Sequence, residues 1–270
     1  MSTRLGIDVG GTGIKAGLVD IEAGRLVGER ITVPTPRPST PAAVATAISD
    51  LAEHYRCDGP VGVALPAAVA GGLVQTAANI DRSWIGTDAT DLFADALGGR
   101  DVAVTNDADA AGTAEYRFGA ARGTAGVVIA LTFGTGIGSA ILHDGVLLPN
   151  TEFGHLVVDG VTAEHRASAS AKSARAMSFE GWAREVSRVL TAIEDLLSPR
   201  LFVVGGEISQ HGSRWIPLLT NRIAVAAAEL GNAAGVIGAA LAIEHHRGEG
   251  PLDPRAVYLR RGSATDRVAR

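Results

Sequence analysis

A carboxylate able to take a proton from a substrate hydroxyl stands at a favourable junction of the sequence. Asp101 to Thr105 reads as a strand, Asn106-Asp107 ends it, and Ala108 to Arg117 reads as the next helix. Ligands of α/β folds gather at the carboxyl ends of strands. An aspartate there can accept the proton of a substrate hydroxyl. Asp107 reads alternatively as a helix cap, a position that Asp and Asn favour. Asp109 reads more simply, as a first-turn acid favoured by the helix dipole.

A place for an anion lies far upstream. Asp8-Val9-Gly10-Gly11-Thr12-Gly13-Ile14-Lys15 separates two apolar runs and reads as strand, tight turn, strand. Successive amide N–H groups in such a turn form an anion-binding concavity. Glycine permits left-handed backbone and close approach of a bulky group. Asp8 suggests metal or water coordination beside that anion. The turn recurs as Gly134-Thr135-Gly136-Ile137, again between apolar runs, Val127 to Leu131 and Ala140 to Leu142. An internal repeat of this size predicts two similar lobes that offer two glycine turns to one cleft. Either turn alone is equally well read as a plain hairpin.

Polar groups for a sugar follow the second turn. Thr151-Glu152-Phe153-Gly154-His155 sets an acid and an imidazole three residues apart around a glycine. Donors and acceptors together are what adjacent hydroxyls require. His155 reads alternatively as a structural histidine, and a metal site from His155, Glu164 and His165 has no recognised spacing. Trp84 either stacks on a sugar face or anchors the core. Lys172, Arg175, Arg184 and Arg188 form either a solvated helix face or a path for a polyanion, extended by Arg117 and Arg122. Gly205-Gly206, after the strand Leu201 to Val204, marks close backbone approach to a ligand or merely a strand end.

The elements that must position these groups are legible as well. Arg25 to Val33 reads as a third strand, and Pro34 to Pro38 as an extended connector. Thr40 and Pro41 open a helix to about His54. Val61 to Leu65 reads as a buried strand, Gly71-Gly72 as a hairpin turn, and Thr87-Asp88 as the cap of a helix to Leu97. Ser168 to Phe179 is polar and alanine-rich and is expected to be mobile. Glu180 to Leu197 is an amphipathic helix with Trp182, Val186, Val189, Leu190, Ile193 and Leu197 at helical spacing. Trp215 to Arg222 reads as a short helix. Asn232 to His245 reads as a helix of small residues expected to cross back onto the first lobe.

Composition bounds the rest. The 270 residues are 46% hydrophobic, enough for one large domain or two modest ones. A formal net charge of −5 argues against a general nucleic-acid surface. The single cysteine, Cys57, excludes an intramolecular disulfide and a cysteine-rich zinc site. No apolar run approaches a membrane span, and the N-terminus lacks a secretory apolar region, so the expectation is a cytoplasmic protein.

Taken as a set, Gly6 to Lys15, Thr76 to Thr87, Asn106 to Gly112, Leu131 to Ala140 and Pro149 to Leu156 resemble the ROK family of sugar kinases. Within it they resemble the actinobacterial polyphosphate glucokinases. The resemblance spans about residues 4 to 245. It implies an α/β chain with the duplicated actin/hexokinase-like (ribonuclease H-like) fold, two lobes around a cleft. The small lobe would be residues 1–106 with helix 232–246 packed back on it, the large lobe 107–231, and 247–270 a peripheral tail. It implies transfer of a phosphoryl group from polyphosphate, ATP or both to the 6-hydroxyl of glucose, with Asp107 as base. Asn79, Asn106, Glu152, His155 and Glu164 would hold the sugar. Asp8, Gly10, Gly11, Thr12, Gly13, Lys15, Thr132, Gly134, Thr135, Gly136, Gly205 and Gly206 would hold the donor, with Asp8 near Mg²⁺.

Three departures accompany the resemblance. The cysteine-rich zinc motif of many ROK proteins is absent from Glu164 to Ser170, so no structural zinc is expected. The sugar-loop Pro-Gly is Pro66-Ala67, and the third glycine after Gly205-Gly206 is Glu207, a carboxylate that would disfavour a nucleotide. The resemblance also implies a homodimer. Alternative readings are a kinase for mannose or an N-acetylhexosamine, an actin-like ATPase, and a sugar-sensing repressor. The last would need a DNA-binding segment for which no room is expected before Leu5.

Overall fold

The computed structural model describes residues 2–78 and 80–246. The expected tail, 247–270, and the sugar residue Asn79 lie outside the described residues. The first sheet is built from β1 (Thr3–Val9), β2 (Gly13–Asp20), β3 (Arg25–Pro34), β4 (Val61–Leu65) and, after a small hairpin of β5 (Val69–Ala70) and β6 (Leu73–Val74), β7 (Val102–Asn106). Its order is β3-β2-β1-β4-β7, antiparallel through the first three strands and parallel from β1 to β7. The second sheet uses β8 (Val127–Phe133), β9 (Ile137–His143) and β10 (Val146–Leu148). Past the hairpin of β11 (Val157–Val158) and β12 (Val161–Thr162), it adds β13 (Leu201–Gly205) and β14 (Val225–Ala227). Its order, β10-β9-β8-β13-β14, repeats the first with the same strand directions. The internal repeat is thus a duplicated fold.

Side-chain alternation on β1 and β4 decides which helix covers which face. Leu5, Ile7 and Val9 with Val61, Val63 and Leu65 face one side and are fully buried. They pack with residues of α1 (Pro41–Tyr55) and α2 (Ala89–Ala96). Thr40 Oγ1 accepts from Ala43 N, and Pro41 opens α1 as its residue types predict. The opposite face carries Gly6, Asp8, Gly62 and Ala64. A Cβ on Gly6 would lie 2.0 Å from Val236 O, and one on Gly62 would lie 1.7 Å from Ala239 O. These glycines let α7 (Ala234–His246) lie directly on the sheet, so the last helix returns to the first lobe.

Helix α3 (Asp107–Phe118) stacks on α7 on one side and on β8 and β9 on the other. The two sheets are therefore joined through a pair of helices whose contact residues are small, Gly238 against Ala110 and Gly112 against Ala130 and Ala140. The outer face of the second sheet packs against α4 (Ala163–Ala167) and α6 (Phe179–Leu197) around Trp182 and Trp215. Among the described residues no helix is long and apolar enough to cross a membrane.

Two expectations change. Residues 169–174, expected to be mobile, form α5 (Ala169–Ala174), whose Ser168 cap accepts from Ala171 N. The helix expected over 215–222 is only a turn, Ile216–Leu218, preceded by a 3₁₀ stretch, Glu207–Arg214. Of the two readings of Trp84, the core anchor holds: it is fully buried against Phe93, with Nε1 donating to Ser39 O.

Candidate active site

Each glycine turn is closed by a backbone hydrogen bond, which spans four residues in the first turn and three in the second. Gly10 N donates to Gly13 O at 3.0 Å, and Gly134 N donates to Gly136 O at 3.0 Å. None of these glycines lies in the left-handed region; a Cβ on Gly10 would lie 3.0 Å from Gly13 O and one on Gly136 2.7 Å from Glu164 Oε2, whereas Gly134 faces open space. Each turn is braced from behind. Thr35 Oγ1 donates to Gly10 O at 2.6 Å, and Ser170 N donates to Gly134 O at 3.1 Å. Phe133, just before the second turn, packs edge to face on Trp182 and Trp215. The tips, Gly11-Thr12 and Gly134-Thr135, remain exposed.

A cleft of about 290 Å³ runs between the sheets. Of the expected donor residues it is lined by Asp8, Gly10, Lys15, Thr132, Gly134, Gly205 and Gly206, with Asp107 among them. Gly206 does take left-handed backbone (φ 87), and a Cβ there would lie 2.3 Å from Phe133 O, so only glycine fits. Asp8 is 9% exposed, and Lys15 Nζ lies 3.1 Å from its Oδ2.

Asn106, not Asp107, is the cap of α3. Its Oδ1 accepts from Ala108 N and Asp109 N, and its Nδ2 donates to Ala67 O. One amide hydrogen of its carboxamide is left for a ligand. Asp107 is the first helical residue, and its Oδ1 accepts from Ala108 N at 2.8 Å. Enclosure by protein, followed by the charge of Asp8, pushes its carboxyl up to about 7, with Glu152 and Asp109 adding to the rise. A carboxyl poised there suits a general base near neutral pH.

Among the described residues, Glu152 lies close enough for its charge to act on Asp107, and His155 and Glu164 act in turn on Glu152. Ser139 Oγ donates to Thr151 O and accepts from Phe153 N, which pins the 151–155 turn to β9. Glu152 and His155 keep exposed surface, although protein encloses part of the Glu152 side chain. Burial raises the Glu152 carboxyl above its ordinary range, the nearby His155 charge opposes that, and Glu164 reinforces it. Glu164 lies beside both turns, since a Cβ on Gly136 would be 2.7 Å and one on Gly154 3.6 Å from its Oε2. Trp182 Nε1 donates to Ala167 O and so holds α4, which carries Glu164, against α6.

Not every expected basic residue joins the site. Arg188 pairs with Asp159, and Arg117 pairs with Glu244. Lys172 Nζ lies 4.5 Å over the Phe179 ring, with the Arg214 guanidinium at 4.3 Å. Arg214 belongs to no basic run of the sequence, so its partnership with Lys172 is visible only in three dimensions. Glu115 carries no comparable sequence signal, and Asp109 reads in the sequence only as a first-turn acid. Glu115 is 2% exposed and accepts from the backbone N–H of Ala120, Glu229 and Leu230, which fixes the far wall of the cleft.

A duplicated two-lobed fold with paired glycine turns and a carboxylate at the cleft defines the actin/hexokinase-like class. Residues 4–169 match the ROK family, and the chain belongs to that family. It is 53% identical, over 237 residues, to the polyphosphate glucokinase of Mycobacterium tuberculosis, covering 88% of this chain and 89% of the relative. The crystal structure of the inorganic polyphosphate/ATP-glucomannokinase of Arthrobacter sp. strain KM superposes with a TM-score of 0.87 at 45% identity, covering 91% of this chain and all of the other. A ROK family glucokinase from Streptomyces griseus, solved with glucose and AMPPNP, gives a TM-score of 0.74 at 29% identity, covering 88% and 98%.

Proposed function

We propose that this protein is a polyphosphate glucokinase, transferring a phosphoryl group from inorganic polyphosphate to the 6-hydroxyl of glucose. The observation that carries the reading is the position of Asp107. Its carboxyl, raised to about 7, stands between a donor cleft and the Glu152–His155–Glu164 group. The 53% identity to a polyphosphate glucokinase supports the substrates.

Asp107 takes the proton of the 6-hydroxyl as that oxygen attacks the terminal phosphorus. Asn79, Asn106, Glu152, His155 and Glu164 hold the remaining hydroxyls. The amides of Gly10–Gly13 and Gly134–Gly136, with Thr132 and Lys15, neutralise charge spread over the transferred group. Asp8 would hold Mg²⁺ together with donor oxygens; its present pairing with the Lys15 ammonium shows a carboxylate that accepts a cation beside the cleft. Bound there, the ion would neutralise developing phosphate charge. The small lobe, 1–106 with 232–246, and the large lobe, 107–231, close over both substrates and exclude water. We take the protein to work as a cytoplasmic homodimer.

Polyphosphate is favoured by the cations beside the second turn. Ser170, which braces Gly134, is two residues before Lys172, and Lys172 shares Phe179 with Arg214. A second donor, ATP, is favoured by the cleft itself, which continues past the turns to Gly206, Ala228 and Asn232. The test is a coupled assay for glucose 6-phosphate with Mg²⁺, comparing polyphosphate and ATP at matched concentrations. Turnover with polyphosphate is expected, and turnover with ATP alone would overturn the donor assignment.

A further inference from the structure

The side chain of Asn150 pairs with another segment the way a strand's backbone does. Its Oδ1 accepts from Val69 N at 2.8 Å, and its Nδ2 donates to Val69 O at 2.9 Å. Val69 opens the small hairpin that follows β4 of the first sheet, whereas Asn150 follows β10 of the second. These two hydrogen bonds therefore tie one lobe to the other beside the cleft.

Asn150 is itself held from below. Its backbone N donates to Asp109 Oδ2 at 2.7 Å. Its φ of 59 lies in the left-handed region, which Asn tolerates better than most residues. Asp109 is 1% exposed in the first turn of α3, and its Oδ1 has no hydrogen-bond partner among the described residues. Burying a carboxyl with one backbone partner is unfavourable, and a first-turn acid placed only for the helix dipole would sit in solvent. Ala67, on the segment that leads to Val69, is held in parallel through Asn106 Nδ2. Both attachments of the 67–69 segment thus lead back to the start of α3, where Asp107 stands.

We propose that Asp109 and Asn150 are a pair of positioning residues for the acceptor sugar. Asp109 sets the entry to the Glu152–His155 turn, and Asn150 fastens that entry to the Val69 segment. The sugar pocket is then built across both lobes before the donor arrives. Neither residue touches the reacting atoms, so their loss acts on glucose binding and not on the donor. The inference rests on reading Glu152 and His155 as sugar ligands.

The test compares Asn150→Gly, which keeps the left-handed backbone and removes both cross-lobe hydrogen bonds, with Asp109→Ala and Asp109→Asn. Glu152→Gln is measured alongside. Losing two neutral hydrogen bonds is expected to raise the KM for glucose about tenfold in Asn150→Gly. The KM for polyphosphate stays within about twofold, and kcat within about threefold, because the pair contacts neither donor nor proton. Asp109→Ala raises glucose KM similarly, whereas Asp109→Asn, which keeps an acceptor for Asn150 N, restores it. Should Asn150→Gly fail to fold, the Asp109 pair carries the same comparison. Folded variants with unchanged glucose KM, while Glu152→Gln raises it, would overturn the proposal alone. Unchanged glucose KM in Glu152→Gln as well would remove the sugar site from this turn and the proposal with it.

Discussion

Gly235 lies against Asp8 so closely that a Cβ on the glycine would fall 2.7 Å from the aspartate's carboxyl carbon and Oδ2. The last helix therefore begins where the first strand's carboxylate needs room. Alanine at 235 would push the Asp8 side chain off its position without touching any other expected ligand. Gly235→Ala is expected to raise the Mg²⁺ concentration for half-maximal activity several-fold while leaving the KM for glucose near its original value. A magnesium titration at saturating glucose checks this, and an unchanged requirement would remove Asp8 as the metal's carboxylate.

Asp107 gives the reaction a pH dependence of defined sign. The base works only when ionised, and its carboxyl is raised to about 7. Turnover is therefore expected to climb from pH 6 and level off above about pH 8. Asp107→Asn removes the base and is expected to lower kcat by about a hundredfold or more, with glucose still bound. Stability moves the opposite way. A carboxyl whose folded pKa is raised contributes stability that is fully present below its unfolded value and is lost as pH rises through about 7. Asp107→Asn should therefore gain thermal stability over the parent at pH 8 and not at pH 4. A parent profile already flat from pH 5.5 to 8 would count against Asp107.

Much of this was legible in the chain itself. The repeat of Gly-Thr-Gly-Ile announced the duplication, and the Asn106-Asp107 pair announced a carboxylate where β7 passes into α3, because strand ends, caps and glycine turns are written in consecutive residues. Asp109 was not legible. A first-turn aspartate on the surface and one buried beneath a loop have the same local sequence, and only Asn150, forty-one residues on, distinguishes them. Arg214 and Lys172 likewise meet only because α5 and the 3₁₀ stretch after β13 flank the same phenylalanine. The glycines of the two turns suggested left-handed backbone and adopt none of it; at Gly136 it is the nearby Glu164 carboxylate that leaves little room for a side chain, a neighbour the turn sequence does not contain.

The helix pair that joins the sheets offers a test of packing alone. A Cβ on Gly238 would lie 1.8 Å from Ala110 O, which backbone cannot yield to cheaply. Gly238→Ala is expected to destabilise by about 1–3 kcal/mol through forced separation of α3 and α7. Thermal unfolding should show a Tm lower by several degrees. Because α3 carries Asp107 and α7 carries Gly235, activity should fall before the protein unfolds.

Polyphosphate should feel Lys172 and Arg214 where glucose does not. Both cations lie over the Phe179 ring, and neither pairs with a carboxylate at salt-bridge distance among the described residues. Glu180 shares that surface and tempers their charge. A chain of phosphates leaving the Gly134 turn along α5 would meet them within a few residues, whereas ATP would turn toward Gly206. Replacing both with alanine removes two charges from a solvated polyanion path, an effect of about 1 kcal/mol or less per charge at moderate salt. The double variant is expected to raise the KM for long-chain polyphosphate about tenfold, to leave the KM for glucose unchanged, and to lose much of the salt sensitivity of the parent. Kinetics with polyphosphate at 20 and 200 mM salt would show it. An equal rise in the KM for ATP would place these cations in the structure of the large lobe and not on the path of the polyanion.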